Sequence, residues 1–265
     1  MADLTLNDDR MMPQLGLGTY QLPDSQTAGV VRGALDLGYR LIDTAAFYHN
    51  ERGVGDGVRD ADAFVTTKLW NDRHGDPEAA LAESLALLGL EQVDLYLIHW
   101  PVPAADLYLD AWRALIRLRE AGLTRSIGVS NFTTEHLDRV IGETGVVPAV
   151  NQVELHPRFQ QRELRTYHDA RGIVTQSWSP LGQAGPLLRD PAIAEIAARR
   201  GASPAQVVIA WHLAHGLSVI PKAGDPAHLR ENFAATELAL TAEDMAAIDA
   251  LDAADGRIGP DPNVS

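Results

Sequence analysis

This chain of 265 residues contains no cysteine. It can therefore form no disulfide, bind no metal through thiolates and use no cysteine nucleophile. No apolar run reaches the roughly 18 residues that are needed to span a bilayer, so we expect no membrane partner. Positive charge is also scarce, with 22 Lys and Arg against 36 Asp and Glu, and the net charge of −14 argues against a nucleic-acid partner.

Two common sequence signals are missing as well. The first ten residues have neither a basic region nor an apolar stretch, so we expect no signal peptide and a soluble, cytoplasmic protein. No G-x-G-x-x-G lies between a predicted strand and a helix, because Gly16-Leu-Gly18 lacks the third glycine and Gly53-Val-Gly55-Asp-Gly57 opens no βαβ unit. A Rossmann dinucleotide site is therefore not expected.

The chain does show a regular alternation of strand-like and helical patterns. Short runs rich in branched apolar residues predict buried parallel strands, each followed by a helical pattern. The predicted strands are Leu15–Thr19, Arg40–Asp43, Phe64–Lys68, Val93–His99, Ser126–Val129, Ala149–Glu154, Val174–Trp178 and Ser218–Ile220. Eight such units in about 250 residues indicate an α/β fold of the (β/α)8 TIM-barrel type, which we expect to fill residues 1–265 as a single domain.

Further elements are predicted at the two ends of the chain. Leu4–Leu6 and Met11–Met12 flank a polar turn and indicate an N-terminal β-hairpin that plugs the barrel. An extra C-terminal helix, capped by Thr241, is predicted to run to about Leu251, before a Gly/Pro-rich tail. Within the chain, a capping residue followed by proline predicts four helix starts, at Asp76-Pro77, Asp190-Pro191, Ser203-Pro204 and Asp225-Pro226.

Polar side chains stand at the C-terminal ends of three predicted strands. Asp43, Lys68 and His99 each end a different apolar run, and Tyr48 follows the first of them in its loop. Taken singly, each could be a loop cap or a solvated charge, but active sites of parallel barrels are built at this edge. Together the four are chemically complementary. A lysine ammonium, held charged and in place by the aspartate, is expected to lower the pKa of the nearby tyrosine. The phenol could then protonate a carbonyl that the histidine orients.

Longer motifs around these residues resemble the aldo-keto reductases over essentially the whole chain. The matching stretches are Gly16–Thr19, Gly38–Tyr48, Asn50-Glu51 with Gly53–Gly55, Thr66–Trp70, Asp94–Pro101, Gly128–Phe132, Asn151–Glu154, Ser179–Gly182 and Ile220–Lys222. Within the family, three stretches are most similar to bacterial 2,5-diketo-D-gluconate reductases. These are Thr67–His74, Leu123–Ser130 and Val146–Gln152.

The resemblance implies a function and a set of catalytic roles. The expected reaction is NADPH-dependent reduction of aldehydes and ketones to alcohols, with keto sugars such as 2,5-diketo-D-gluconate and α-dicarbonyls among the substrates. Tyr48 would be the general acid, Lys68 with Asp43 would tune its pKa, and His99 would orient the substrate carbonyl. The partner is then a small carbonyl compound, and the protein is expected to be a monomer.

The resemblance also implies where the dinucleotide lies. Ser130, Asn131 and Gln152 match the positions that hold the carboxamide, and Trp178 matches an aromatic residue that stacks on the nicotinamide ring. The remaining cofactor-binding positions are Gly18, Thr19, Ser179, Leu181, Gly182, Gln183, Lys222, His228, Glu231 and Asn232. Among them, Lys222 is expected at the 2′-phosphate, with Glu231 and Asn232 at the adenine.

Two positions depart from the family pattern near the 2′-phosphate. Ala223 stands where a serine or threonine is usual, and His228 stands where an arginine is usual; Arg230 follows two residues later. A hydroxyl and a permanent cation are thus missing from the expected pocket. We therefore expect NADPH to be preferred but NADH to be used as well.

Aromatic residues on the predicted loops suit the mouth of a substrate pocket, although each could instead be a packing residue at the rim. They are Tyr20, Phe47, Trp70 and Trp100, and Gln183 lies beside them. The loop after Trp100 and the C-terminal tail are short, which favours an open site for small or polar carbonyl compounds.

Two other kinds of function are weighed against the reductase. A non-catalytic cofactor-binding subunit or structural protein on the same fold is disfavoured because all four polar residues of the strand-end group are present. A metal-dependent barrel hydrolase is disfavoured because His212-x-x-His215 has no third ligand in its context, and no metal is expected.

Overall fold

The computed structural model describes residues 2–264, and within them the chain forms ten strands and ten α-helices. The strands are β1 (Asp3–Thr5), β2 (Met11–Pro13), β3 (Gly16–Gly18), β4 (Leu41–Asp43), β5 (Phe64–Leu69), β6 (Val93–Ile98), β7 (Thr124–Ser130), β8 (Val150–Glu154), β9 (Val174–Trp178) and β10 (Ser218–Val219). The helices are α1 (Asp24–Leu37), α2 (Glu51–Val58), α3 (Pro77–Leu88), α4 (Tyr108–Glu120), α5 (Thr134–Thr144), α6 (Arg162–Asp169), α7 (Pro191–Arg200), α8 (Pro204–Ala214), α9 (Pro226–Ala234) and α10 (Ala242–Asp249).

Strands β3 to β10 form one parallel sheet in sequence order, as the alternating pattern predicts. The sheet closes on itself, since Leu15 pairs with Val219 and Gly18 pairs with Lys222 across the gap between the first and last strands. The predicted (β/α)8 barrel is confirmed. All eight carboxyl ends meet at one edge, where such barrels carry their sites.

The barrel strands differ from the prediction mainly at their ends. β7 is longer than predicted because Thr124 also pairs with Val93 of β6. β10 is shorter by one residue, as Ile220 lies beyond the ladder and only its backbone N–H bonds to the carbonyl of Ser177. Two helices, α7 and α8, lie between β9 and β10, and they begin at the predicted starts Asp190-Pro191 and Ser203-Pro204.

The N-terminal hairpin lies where the sequence predicts it. β1 and β2 pair antiparallel, with Leu4 opposite Met12. Leu6 and Met12 are buried against residues of the barrel strands that include Leu41 and Leu97. The hairpin therefore fills the N-terminal end of the barrel with apolar side chains, which leaves the opposite edge for polar residues.

Helix capping follows the predicted signals with one exception. Asp190, Ser203 and Asp225 each accept a hydrogen bond from the backbone of their own helix, and Thr241 forms a reciprocal capping box with Asp244. Asp76 occupies the cap position of α3 but makes no such side-chain bond. No helix in residues 2–264 is long and apolar enough to cross a membrane.

Candidate active site

The four polar residues predicted at the strand ends come together at the carboxyl edge of the barrel. Asp43 ends β4, Lys68 lies near the end of β5, and His99 follows β6 directly. Tyr48 closes a single 3₁₀ turn, Ala46–Tyr48, in the loop after β4. Three adjacent parallel strands thus place an acid, a base and an imidazole side by side, although the sequence separates them by as many as 56 positions.

Lys68 and Asp43 form a fully buried ion pair. The Nζ atom of Lys68 donates to Oδ1 of Asp43 at 2.7 Å and to the carbonyl of Thr44 at 2.8 Å, and both charged side chains are at most 2% exposed. The second carboxylate oxygen of Asp43 accepts from Nε2 of Gln152 at 2.7 Å. Because every partner is fixed by a strand or a strand end, the ammonium has one position.

Tyr48 and His99 lie beside this ion pair. Oη of Tyr48 lies 3.5 Å from Nζ of Lys68, and the ring of Tyr48 meets the imidazole of His99 edge-on at 5.7 Å between centroids. Nδ1 of His99 is buried and has no hydrogen-bond partner in the described part of the chain. The phenol, the ammonium and the imidazole therefore converge on one small region.

Burial dominates the protonation of this group. It lowers the pKa of His99 well below its usual range, and the charge of Lys68 acts in the same direction, so the imidazole is neutral at neutral pH. Burial also lowers the pKa of Lys68 and raises the pKa of Asp43, while the attraction between the two opposes both changes.

The protonation of Tyr48 differs from the sequence-based expectation. The nearby ammonium was expected to lower its pKa, but burial raises the pKa of Tyr48 well above its usual range, and Asp43 and then Tyr20 add to that effect. Removal from water disfavours the phenolate more than one cation at 3.5 Å favours it. The phenol of Tyr48 is therefore protonated at neutral pH.

Asn50 is a structural support that the sequence reasoning did not single out. Its Oδ1 accepts from Thr44 Oγ1 at 2.8 Å, and its Nδ2 donates to the carbonyls of Thr19 at 2.8 Å and Leu22 at 3.1 Å. The same Thr44 supplies the carbonyl that binds Lys68. The sequence around Asn50 gives no signal that it braces the loops, because its three partners come from two different loops.

The residues expected around the nicotinamide also form one cluster. Asn131 donates to Ser130 Oγ at 3.1 Å and to the carbonyl of His99 at 3.0 Å, and its Oδ1 accepts from the indole Nε1 of Trp178 at 2.8 Å. Ser130 donates to the carbonyl of Gln152 at 2.8 Å. Hydrogen bonds thus link these four residues to one another and to His99.

The residues expected along the rest of the dinucleotide continue from this cluster. Gly18 ends β3 and Thr19 follows it, with Thr19 Oγ1 donating to the Asp43 carbonyl at 3.0 Å. The loop Ser179, Leu181, Gly182 and Gln183 follows β9, and Ser179 and Gln183 both have positive φ. Next come Lys222 after β10 and the residues His228, Glu231 and Asn232 on α9.

Lys222 and His228 are exposed, and Lys222 forms no ion pair with the residues that the structure describes. Ala223 is buried, and its methyl side chain offers no polar group at the position where the family usually has a hydroxyl. The side-chain amide of Asn232 is largely buried and has no hydrogen-bond partner within residues 2–264. Free donors therefore lie where the 2′-phosphate and the adenine are expected.

The predicted mouth residues surround Tyr48 and His99. Phe47 stacks on Trp70 at 3.8 Å between ring centroids, and Trp70 meets the His99 ring edge-on at 5.0 Å. Tyr20 lies 5.0 Å from Tyr48 and is 48% exposed. Trp100 contacts Trp178 edge-on at 6.4 Å. Aromatic surface therefore borders the phenol on several sides, while the mouth stays open to solvent.

The two histidines of His212-x-x-His215 have separate partners. The ring nitrogens of His212 lie at the carbonyls of Val208 and Leu155, while His215 pairs with Asp249 at 2.9 Å. In residues 2–264, no group of three or more His, Asp or Glu side chains is placed to hold a metal ion.

A family model described as the Aldo/keto reductase family matches residues 14–253. The chain belongs to this family. This confirms the resemblance drawn from the sequence motifs, and it makes the protein an NAD(P)H-dependent oxidoreductase that reduces carbonyl groups.

Several named relatives match over nearly the full length of both chains. Methylglyoxal reductase DkgA of Yersinia pestis is 51% identical over 267 residues, which cover 98% of this chain and 96% of that protein. Methylglyoxal reductase DkgA of Escherichia coli (strain K12) is 47% identical over 266 residues, with the same coverage of both chains. Among solved structures, a Gox0644 variant in complex with NADPH has a TM-score of 0.97 and 49% identity, and it covers 100% of this chain and 98% of that chain.

Proposed function

We propose that this protein reduces small aldehydes and ketones with NADPH, and that Tyr48 is the proton donor. The observation that carries the proposal is the convergence of the Tyr48 phenol with the Lys68 ammonium at 3.5 Å and with the ring of His99. A carbonyl oxygen placed in this region would meet an acid, a neutral hydrogen-bonding imidazole and a nearby positive charge. A proton donor and groups that stabilise the developing negative charge on oxygen suit the reduction of a carbonyl.

Each of the four side chains has a distinct part in the proposed mechanism. Tyr48 gives its proton from Oη to the substrate oxygen as that oxygen gains negative charge. Lys68 stabilises the phenolate left behind, and Asp43 keeps the ammonium in place through the 2.7 Å contact. His99, being neutral, donates a hydrogen bond to the substrate oxygen and so orients the carbonyl.

The residues around this group fit a nicotinamide dinucleotide. Gln152 is bonded to Asp43 and Asn131 to Trp178 at the same barrel edge, Trp178 offers an aromatic face, and Lys222 offers an unpaired ammonium for a phosphate. The bound cofactor would supply the hydride that is transferred to the carbonyl carbon. The unpaired cation supports NADPH over NADH, and the buried Ala223 supports a preference that is not absolute.

The mouth supports small and polar carbonyl substrates. Tyr20 and Phe47 are 48% and 39% exposed, which indicates a shallow aromatic rim rather than a deep apolar tunnel. Because relatives at about half identity are named methylglyoxal reductases, we propose α-dicarbonyls such as methylglyoxal as preferred substrates. Keto sugars such as 2,5-diketo-D-gluconate form the second class. A monomeric state and a cytoplasmic location stay predictions.

A carbonyl panel tests this proposal directly. Purified protein is mixed with NADPH or NADH and with methylglyoxal, 2,5-diketo-D-gluconate or a bulky steroid ketone, and loss of cofactor absorbance is followed. We expect turnover with the first two substrates, faster with NADPH than with NADH, and little with the steroid. Binding of NADPH without turnover of any carbonyl would instead support a non-catalytic binding protein.

A further inference from the structure

The C-terminal tail is fastened to the active-site edge of the barrel by one buried carboxylate. Glu154 ends β8 and is 1% exposed. Its Oε1 accepts from the backbone N–H of Ile258 at 2.7 Å, and its Oε2 accepts from the N–H of Gly259 at 2.7 Å. Nε2 of His156 also lies 3.1 Å from Oε1. Burial raises the pKa of Glu154, but these hydrogen bonds outweigh it and hold that pKa below its usual range.

This attachment presses the tail backbone against Trp178. A Cβ atom built on Gly259 would lie 2.5 Å from Cη2 of Trp178 and 2.8 Å from Oε2 of Glu154. Real Cβ atoms do not approach other atoms so closely, and therefore only glycine fits at this position. The tail thus touches the edge of the indole ring at the point where the carboxylate holds it.

The contact with Trp178 continues toward the catalytic residues. The indole Nε1 donates to Oδ1 of Asn131 at 2.8 Å, and Nδ2 of Asn131 donates to the carbonyl of His99 at 3.0 Å. Asn131 has a φ of 64°, in the left-handed region that asparagine adopts more readily than most other residues. Glu154, Gly259, Trp178, Asn131 and His99 therefore form one unbroken series of contacts.

The tail spans an open space next to this attachment. A cavity of about 660 Å³ lies beneath it, lined by Glu154, Asn131 and the tail residues Arg257 and Pro262, among others. Ile258, whose backbone N–H is one of the two that donate to Glu154, is 46% exposed. Arg257 stacks on the ring of Phe159 just before this point, and Glu154 holds the backbone N–H groups of the next two residues, Ile258 and Gly259.

Building on the proposed reductase function, we propose that Glu154 is a positioning residue for the cofactor. By holding Ile258 and Gly259 against Trp178, the carboxylate fixes the indole face and the amide of Asn131 that would contact the nicotinamide. Reciprocity of linked equilibria then requires that NADPH binding strengthen the attachment of the tail by the same factor.

Equilibrium NADPH binding gives the first test, with two independent variants. Glu154→Gln removes the charge that holds the tail, and Gly259→Ala places a methyl group against Trp178 while leaving the carboxylate intact. We expect each to weaken NADPH binding about three- to tenfold, the scale of one well-placed aromatic contact. The KM for NADPH should rise by a similar factor, and kcat should change less.

Each variant has a matched control. Glu163→Gln makes the same chemical change at an exposed residue that lines the same cavity. Gly142→Ala adds a methyl group in α5, where a Cβ would meet nothing within 4 Å. Both controls should bind NADPH as the parent does. If Glu154→Gln fails to fold, Gly259→Ala carries the same comparison.

Tryptic cleavage after Arg257, followed by mass spectrometry of the intact chain, reports tail release without any turnover. Cleavage should be faster in Glu154→Gln than in the parent, and NADPH should slow it in the parent. If Glu154→Gln and Gly259→Ala bind NADPH as tightly as the parent, or if NADPH leaves parental cleavage unchanged, the positioning role is wrong and the clamp is merely structural. If the parent binds NADPH but reduces no carbonyl, the proposed function fails while the positioning role can still hold.

Discussion

Replacing Lys68 by Met tests the electrostatic coupling in the site, because it removes a charge and nearly keeps the volume. Tyr48 becomes a phenolate when it gives up its proton, and in this variant that phenolate would lack the Lys68 ammonium 3.5 Å away. At an effective dielectric constant of about 20, such a pair is worth about 4 kcal/mol, or roughly 10³-fold in rate. If the phenolate is half formed in the transition state, the lost stabilisation is about 2 kcal/mol, which corresponds to a fall in kcat of roughly 30-fold. We therefore expect kcat to fall between these limits.

The same substitution also affects stability, and the two effects can be separated. Asp43 would remain buried with Gln152 as its partner, and breaking a buried pair in this way costs about 3–5 kcal/mol. The double variant Asp43→Asn with Lys68→Met removes the stranded charge. It should recover most of the lost stability in denaturant unfolding but none of the lost rate.

The assay is kcat for methylglyoxal at saturating NADPH, measured across pH. Without the ammonium, the phenol should lose its proton at still higher pH, so the alkaline limb of the profile should move upward. A Lys68→Met enzyme with parental kcat and a parental pH profile would refute the coupling between Lys68 and Tyr48.

Two further predictions concern the cofactor and acid stability. His228→Arg should raise kcat/KM for NADPH relative to NADH by about tenfold. Arginine stays charged at every working pH, and one charged hydrogen bond to the 2′-phosphate is worth about 1.5 kcal/mol or more. An unchanged ratio would show that His228 lies outside the 2′-phosphate site. Burial lowers the pKa of His74 and of His212 to about 4 and that of His168 to about 3. Each folded-state pKa lies below the unfolded value of 6.5, so the stability from these neutral rings is complete above pH 6.5 and is lost as pH falls. At pH 5 each buried histidine should lower the free energy of unfolding by about 2 kcal/mol. Denaturant unfolding of the parent and of His168→Gln at pH 7 and pH 5 measures the contribution of His168. An equal loss of stability in both proteins would contradict this prediction.

The barrel could be predicted from the sequence because buried parallel strands leave a strong local pattern. Runs such as Val93–Ile98 are apolar on both faces except for Asp94, a pattern typical of a strand that is covered on both sides. Strand ends were less predictable, as at Thr124, because the limits of a ladder depend on how far the neighbouring strand continues.

The site could be predicted only as far as residue type and strand-end position carry the information. Asp43, Lys68 and His99 are visible in the sequence because each is a polar residue at the end of an apolar run, where burial of a polar side chain is costly unless it has a partner or a function. The raised pKa of Tyr48 could not be read from sequence, because it depends on how deeply the phenol is buried. The clamp from Glu154 to Gly259 also has no local signal, because 105 positions separate its partners.

The proton donor itself is the central claim, and Tyr48→Phe tests it most directly. The substitution removes Oη and keeps the ring that packs against His99 and Tyr20. The decisive measurement is kcat for methylglyoxal reduction in this variant, with the dissociation constant for NADPH determined on the same sample. The account predicts that kcat falls at least about 10²-fold, the usual scale for one general acid, while NADPH binds nearly as in the parent. Near-normal turnover by Tyr48→Phe would contradict the account.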